Sequence, residues 1–266
     1  MIKLGSFPYL NLRPLIWGAI KNQFTNFSIS YHIPSSLSDL LNMGVIDVGM
    51  VPVFDFFKNE NFRMIRGIGI GSKGKVRSIL FYMKKDIRKI ETIGLDISSS
   101  TSSNLLRILL SKKYNIKPRY ITIDFTLTSA KESIKNIDSF MLIGDNALNL
   151  KFDGLKCLDL GEEWYNWTSL PLIYAVWMTR KDIKIKNLDK QLLELKDYGL
   201  NRIDEVVEES YSHYRFTKEK CKEYFTNNIK YDLTDEEIKG INLFYKLAQE
   251  LKLSNPNKEL KFYGED

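Results

Sequence analysis

The sequence predicts an α/β fold of two lobes, with C-terminal helices packing on the first lobe. Three observations predict it. Over the first two thirds of the chain, short apolar runs alternate with helical patterns, the rhythm of β–α units with helices on both faces of parallel sheets. Two of the runs, "RSILFYM" and "PLIYAVWMT", are apolar enough to cross from one lobe to the other. From Asn187 onward the helical period takes over.

The elements follow in order. "MIKLG" is a strand, and "LIWGAIKNQF" a helix that starts near Pro14, whose fixed φ suits a first helical turn. "FSISYHI" alternates as a strand does. "SSLSDLLNMG" reads as a helix with a serine N-cap and Gly44 as its stop. "VIDVGMVPV" is nearly all apolar, as a strand covered on both faces would be. "RSILFYM", "TIGLD", "RYITID", "SFMLIGD" and "PLIYAVWMT" continue the strands, with a helix over 103–114 among the connections. Near the end Thr234 and Glu237 form a capping box, and Ile238, Ile241, Phe244, Ala248 and Leu251 make one apolar stripe. With crossings at the two long strands, residues 1–82 and 178–266 form one lobe and 83–177 the other. A ligand then sits between them, at the carboxyl ends of the strands.

Composition narrows the function. At 266 residues, 44% hydrophobic and 27% charged, the chain holds a sizeable core and no long disordered part. The net charge of +6 is spread through runs such as "KKDIRK", where acids and apolar residues interrupt it; that speaks for a solvated surface and against nucleic acid. A mild positive field still attracts small anions. Cys157 and Cys221 stand in unrelated contexts and read as buried thiols in a reducing compartment, with no metal-ligand spacing. The two histidines, His32 and His213, have no motif around them, which argues against histidine acid–base, triad and zinc chemistry. No apolar run approaches the ~20 residues that span a bilayer, and the first residues lack the pattern of a signal peptide. The expectation is a cytoplasmic protein without membrane association.

Four stretches carry candidate chemistry. In "GLDISSSTSSNLLRILL" a strand ends at Asp96 and six hydroxyl residues lead into an amphipathic helix starting near Ser102 or Ser103. A helix N-terminus offers free amides and partial positive charge, so with Thr101, Ser102 and Ser103 it suits a carboxylate or phosphate; a single serine cap would not account for six hydroxyls. In "SFMLIGDNALNL", Asp145 follows a buried strand and a glycine. It can cap the next helix, orient a substrate hydroxyl or fix a neighbouring loop, the cap being the commonest of these. Trp164, Trp167, Thr168 and Pro171 precede the second crossing strand, where core filling accounts for most of them. Ser78, beside Arg77, opens the first crossing strand; the topology places it near the hinge, facing the cleft. "SFPYLNLRPL" lies at the cleft mouth, and Pro8 and Pro14 restrict its backbone. Asn11 within it offers a donor and acceptors without titrating.

Taken in order, "YLNLRPL", "GVIDVGMVPV", "VRSI", "LDISSSTSSNLLRILL", "LIGDNAL", "DLGEEW", "TSLPLIYAVW" and "YDLTDEEIKGINLFYKLA" resemble the chorismate dehydratases of the futalosine route to menaquinone. The resemblance spans nearly the whole chain and rests on the ordered set of motifs. It implies a type II periplasmic-binding-protein-like fold used as a cytoplasmic enzyme, a carbon–oxygen lyase that converts chorismate to 3-[(1-carboxyvinyl)oxy]benzoate by loss of water. It implies no metal and no organic cofactor. Asn11 matches the asparagine of the Tyr-Leu-Asn motif, Ser78 the serine of the Val-x-Ser strand, and Thr101 and Ser102 the Thr-Ser helix start. Ser169 departs from the glycine that often follows the threonine, and Ser139-Phe140 replace smaller residues.

The expectations are therefore catalytic roles for Asn11 and Ser78, with Thr101, Ser102, Ser103 and Asp145 binding substrate. The partner is a small dicarboxylate, and the protein is a monomer or homodimer. The enolpyruvyl carboxylate of the substrate itself would take the proton. The rival readings are a non-catalytic small-anion solute-binding or sensing protein, and the sister enzyme 1,4-dihydroxy-6-naphthoate synthase.

Overall fold

The computed structural model describes residues 1–125, 130–214, 216–256 and 258–265. The chain opens with β1 (Ile2–Ser6), a tight turn (Leu10–Leu12) and α1 (Arg13–Ile20). Next come β2 (Phe27–Tyr31), α2 (Leu37–Asn42), β3 (Val48–Pro52), α3 (Val53–Phe56) and β4 (Phe62–Ser72). The middle contains β5 (Ile79–Met83), β6 (Thr92–Asp96), α4 (Thr101–Ile108), β7 (Arg119–Ile123), α5 (Ala130–Lys135), β8 (Ser139–Ile143), α6 (Gly144–Asn149), β9 (Lys156–Asp159) and α7 (Leu160–Thr168). β10 (Leu172–Arg180) then leads into α8 (Leu188–Leu200), α9 (Ile203–Glu208), α10 (Lys218–Glu223) and α11 (Asp235–Glu250).

The strands form two five-stranded sheets of the same design, β2-β1-β3-β10-β4 and β7-β6-β8-β5-β9. In the first, β1 runs parallel to β2 and β3 while β10 runs antiparallel to β3 and β4. In the second, β6 runs parallel to β7 and β8 while β5 runs antiparallel to β8 and β9. Both sheets are thus mixed rather than parallel. The antiparallel member in each is the strand that arrives from the other sheet. Neither long strand crosses between lobes as expected: β5 pairs wholly within the second sheet and β10 within the first. The chain changes sheets in the short connections 73–78 and 169–171, so cuts at 82/83 and 177/178 would part each strand from its own sheet.

β4 and β9 were not legible as strands. β4 carries three glycines, which weaken strand propensity, and Gly67 sits at φ +77. Its bulged pairing with β10 supplies the strand that its own sequence does not announce. β9 is a four-residue edge, and it leaves Cys157 exposed, not buried as expected; Cys221 is buried. Ser36 stands at the N-cap of α2 but its side chain makes no capping bond; its hydroxyl donates to Ile33 O at 2.9 Å instead.

Most of the apolar core is one continuous body shared by both sheets, and a smaller cluster around Tyr82, Phe140 and Leu142 serves the second sheet. α8 packs on α1 and β4, and α11 on β10 and α4. α11 begins with the expected capping box: Thr234 takes a helix amide, and Glu237 Oε2 accepts from the Thr234 amide at 3.0 Å. Its stripe buries Ile241, Phe244 and Ala248, and Phe244 packs edge-on against Phe54 and Trp164. Trp164 is a core residue, its indole N–H donating to Pro171 O. Ser169 ends α7 at φ +59, the left-handed region that explains why glycine suits that position.

Candidate functional site

The carboxyl ends of β1 and β6 and the start of β5 converge between the sheets. The opening loop contributes Phe7, Tyr9 and Asn11; the start of β5 contributes Ser78; the segment before and into α4 contributes Ser98 through Ser102. With Gly144, Tyr174 and several apolar residues of both sheets they wall a cavity of about 70 Å³. Asn11, Ser78, Thr101 and Ser102 thus line one space, although they lie far apart in the chain. Ser99 and Ser100 also border a wider outer groove of about 650 Å³, lined by Asp55, Lys58, Ser103 and Arg107 among others. Ser103 therefore faces the groove and not the inner cavity.

Each of these side chains is in a different hydrogen-bonding state. The Asn11 carbonyl accepts from the Tyr231 hydroxyl at 2.9 Å, which fixes its backbone, while the buried side-chain Oδ1 has no partner among the described residues. Tyr224 is buried with its hydroxyl facing the Ser78 and Asn11 side chains, without a close, well-aligned hydrogen bond among the described residues. Burial pushes the Tyr224 phenol far above its ordinary range, so it stays a neutral donor. Ser78 Oγ donates to Val76 O at a long 3.4 Å and faces the Tyr224 hydroxyl. Ser102 makes no hydrogen bond through its hydroxyl within the described residues and is 6% exposed. Asn11 Oδ1 and the Tyr224 hydroxyl are buried polar atoms with hydrogen-bonding capacity to spare beside the cavity, which a polar ligand can use.

Thr101 is different. Its hydroxyl donates to Tyr174 O at 2.8 Å and accepts from the Phe54 amide at 3.2 Å, so it docks α4 onto the first sheet. What remains for a ligand at this position is the backbone N–H. α4 starts at Thr101, one or two residues earlier than expected, with Ser100 as N-cap and no side-chain capping bond. Ser100 Oγ instead donates to Asp55 Oδ1 at 2.6 Å, and Ser38 donates to the other oxygen at 2.9 Å. Burial raises the Asp55 pKa, opposed by those two hydroxyls. The start of α4 is therefore not covered by a side-chain cap, and Thr101 and Ser102 of its first turn line the cavity, where free helix amides carry partial positive charge.

Asp145 lies in the first turn of α6, outside the cavity wall. Its Oδ1 accepts from the Leu10 amide at 3.0 Å, so of the three roles open in the sequence it is seen fixing the neighbouring loop. Ile143 occupies the N-cap. Burial pushes the Asp145 carboxyl up to about 6, against the Leu10 amide, the Tyr214 hydroxyl and the Arg13 guanidinium. A comparable clamp holds Ser78. Asp159, at the N-cap of α7, takes the amides of Val76 at 3.1 Å and Arg77 at 2.7 Å as well as those of Gly161 and Glu162. Arg77 is held at φ +62, a strained conformation directly before Ser78.

Sequence reading singled out neither Tyr9 nor Tyr174 nor Asp159. Tyr9 lay in view within the opening loop, and its ring packs over Gly144. A Cβ on that glycine, which has φ +55, would meet the ring at 2.8 Å. The Tyr9 hydroxyl donates to Ser98 Oγ at 3.4 Å, and burial pushes its phenol up to about 12.

A family profile described as menaquinone biosynthesis matches residues 2–250. The chain is similar to the chorismate dehydratase of Thermus thermophilus, 25% identical over 260 residues that cover 91% of this chain and 93% of the relative. Of the solved structures, one from Archaeoglobus fulgidus has 16% identity and a TM-score of 0.77, covering 95% of this chain and 98% of that one. The alkanesulfonate-binding protein SsuA from Xanthomonas axonopodis pv. citri, bound to MOPS, has 14% identity and a TM-score of 0.68, covering 97% and 95%. At such identities the structural likeness speaks for the fold, which is α/β and type II periplasmic-binding-protein-like.

Proposed function

The chain belongs to the menaquinone-biosynthesis family, and on that premise we propose that it is a chorismate dehydratase, a hydro-lyase forming 3-[(1-carboxyvinyl)oxy]benzoate and water. The observation that carries the reading is the convergence of Asn11, Ser78, Ser102 and the start of α4 on one cavity between the sheets. Chorismate is a dicarboxylate, and uncapped helix amides with a free serine hydroxyl suit one carboxylate. Asn11 suits the other, or the departing hydroxyl.

The elimination is substrate-assisted. The enolpyruvyl carboxylate takes the C3 proton, the C3–H electron pair becomes the new ring double bond, and the C4–O bond breaks. The departing oxygen leaves as water with the proton that the carboxylate received. Formation of the aromatic ring drives the step. Asn11 and Ser78 orient the carboxylate and the hydroxyl, and the gain comes from orientation, where effective molarities are large. The Asn11 Oδ1 supports such a role towards the departing hydroxyl, from which it can accept, and the Tyr224 hydroxyl can donate to a carboxylate; both are already in place.

In this reading the two sheets close over the bound substrate and exclude water from it. The lobes divide at 73–78 and 169–171. Two readings compete. A small-anion binding protein would bind chorismate unchanged, and a naphthoate synthase would ignore it. Purified protein incubated with chorismate, followed by mass and ultraviolet absorbance, tests the proposal. Loss of one water with a new benzoate chromophore is the expected result; binding without turnover, or neither, overturns it.

A further inference from the structure

We propose that Asp145 is a positioning residue for this cleft, holding the Asn11 turn of the first sheet in place from the second. The inference deepens the dehydratase reading and rests on it for its kinetic consequences. Asp145 sits in α6, directly after β8, yet its carboxylate takes the amide of Leu10, the residue before Asn11, in the turn after β1. On the other side of that peptide pair, the Tyr231 hydroxyl takes the Asn11 carbonyl. The Asn11 backbone is gripped on both flanks, once from the second sheet's half and once from the C-terminal segment. Gly144, next to Asp145, lies under the Tyr9 ring, so the same two-residue step of α6 seats one side chain of the opening loop and holds the backbone of the next residue.

Asp145 does not line the cavity; its direct hold on the Asn11 turn is the Leu10 amide, and its carboxylate also takes the Tyr214 hydroxyl. A carboxylate is the stronger acceptor for such an amide, roughly twice a neutral one. Four titratable groups face it: Arg13 from α1, Tyr9 from the opening loop, and Tyr214 and Tyr224 from the C-terminal segment. Arg13 favours the ionised form, and the three phenols stay neutral at physiological pH. The clamp is therefore full when Asp145 is ionised and weaker when it is protonated.

The test compares Asp145→Asn, which keeps an acceptor oxygen, with Asp145→Ala, which keeps none; Asp145→Ser replaces the alanine variant if that does not fold. Hydrogen exchange at pH 7.5 reads the clamp without any turnover. The Leu10 amide should exchange at least about tenfold faster in the alanine variant and near the wild-type rate in the asparagine variant. With chorismate, the alanine variant should lose about a hundredfold in kcat with little change in KM, as a displaced catalytic group does. Wild type should show an acid limb in its kcat–pH profile, and the asparagine variant should keep kcat within about tenfold and lose that limb. Unchanged Leu10 exchange in the alanine variant overturns the proposal. So does an asparagine variant as inactive as alanine with normal exchange, which would make the carboxylate itself the reacting group. Wild-type protein inert towards chorismate would overturn the dehydratase reading alone, and the exchange result would still decide the clamp.

Discussion

The hydroxyl of Thr101 donates to the carbonyl of Tyr174 at 2.8 Å, fastening the first turn of α4 in the second sheet's half to a central strand of the first sheet. The same oxygen accepts the Phe54 amide. A residue matched by motif to substrate binding thus also joins the two halves of the cleft.

Thr101→Val should separate these roles. Valine keeps the volume but leaves a buried carbonyl and a buried amide unpaired, at a cost of about 1–3 kcal/mol. Thr101→Ser should cost less than half as much. Urea denaturation of the two variants checks this, and equal midpoints would show the hydroxyl to be idle in the fold.

Gly144→Ala should disturb the cleft more than the fold. The left-handed backbone costs a non-glycine residue about 1–2 kcal/mol, and the new methyl group pushes on the Tyr9 ring. The expected outcome is a folded protein with kcat/KM at least about tenfold lower. Thermal melting and steady-state kinetics read the two effects separately.

Asp145 also makes a stability prediction with a definite sign. Its folded-state value is about 6, above its ordinary 3.8. A carboxyl raised on folding contributes stability when protonated, and that contribution is lost as pH rises through the folded value. Asp145→Asn removes the ionisation, so its melting temperature relative to wild type should climb between about pH 4 and pH 6 and level off above. A flat or falling difference would contradict the burial argument. Functional carboxylates are often kept at such a cost to stability.

If the substrate's own carboxylate is the base, blocking it should stop the reaction. Chorismate carrying a methyl ester on the enolpyruvyl carboxylate should be turned over at least about a hundredfold more slowly. Competition against chorismate shows whether it still binds. Turnover of the ester at the ordinary rate would require a base on the protein.

What the sequence made legible was local or ordered. The Thr234–Glu237 capping box needs only four residues to declare itself, and it is present. The all-apolar "VGMVP" became a strand buried throughout. Asn11, Ser78, Thr101 and Ser102 each follow or begin a strand or helix, and the β–α order sends such ends to one crevice. The failures were non-local. β4 depends on β10, about a hundred residues on, to override its glycines. The Thr101 hydroxyl looked available because Tyr174 is distant in sequence. Asp145 offered three roles, and its partner Leu10 lies 135 residues away. Cys157 looked like a core thiol until its strand proved to be an edge.

The most direct measurement is chorismate turnover by Asn11→Ala beside wild type, with product binding measured on both by calorimetry. The account predicts that the variant folds, binds the benzoate product within about tenfold of wild type, and loses at least about a hundredfold in kcat, as when a positioned polar group is removed. A variant that dehydrates chorismate at the wild-type rate would contradict it.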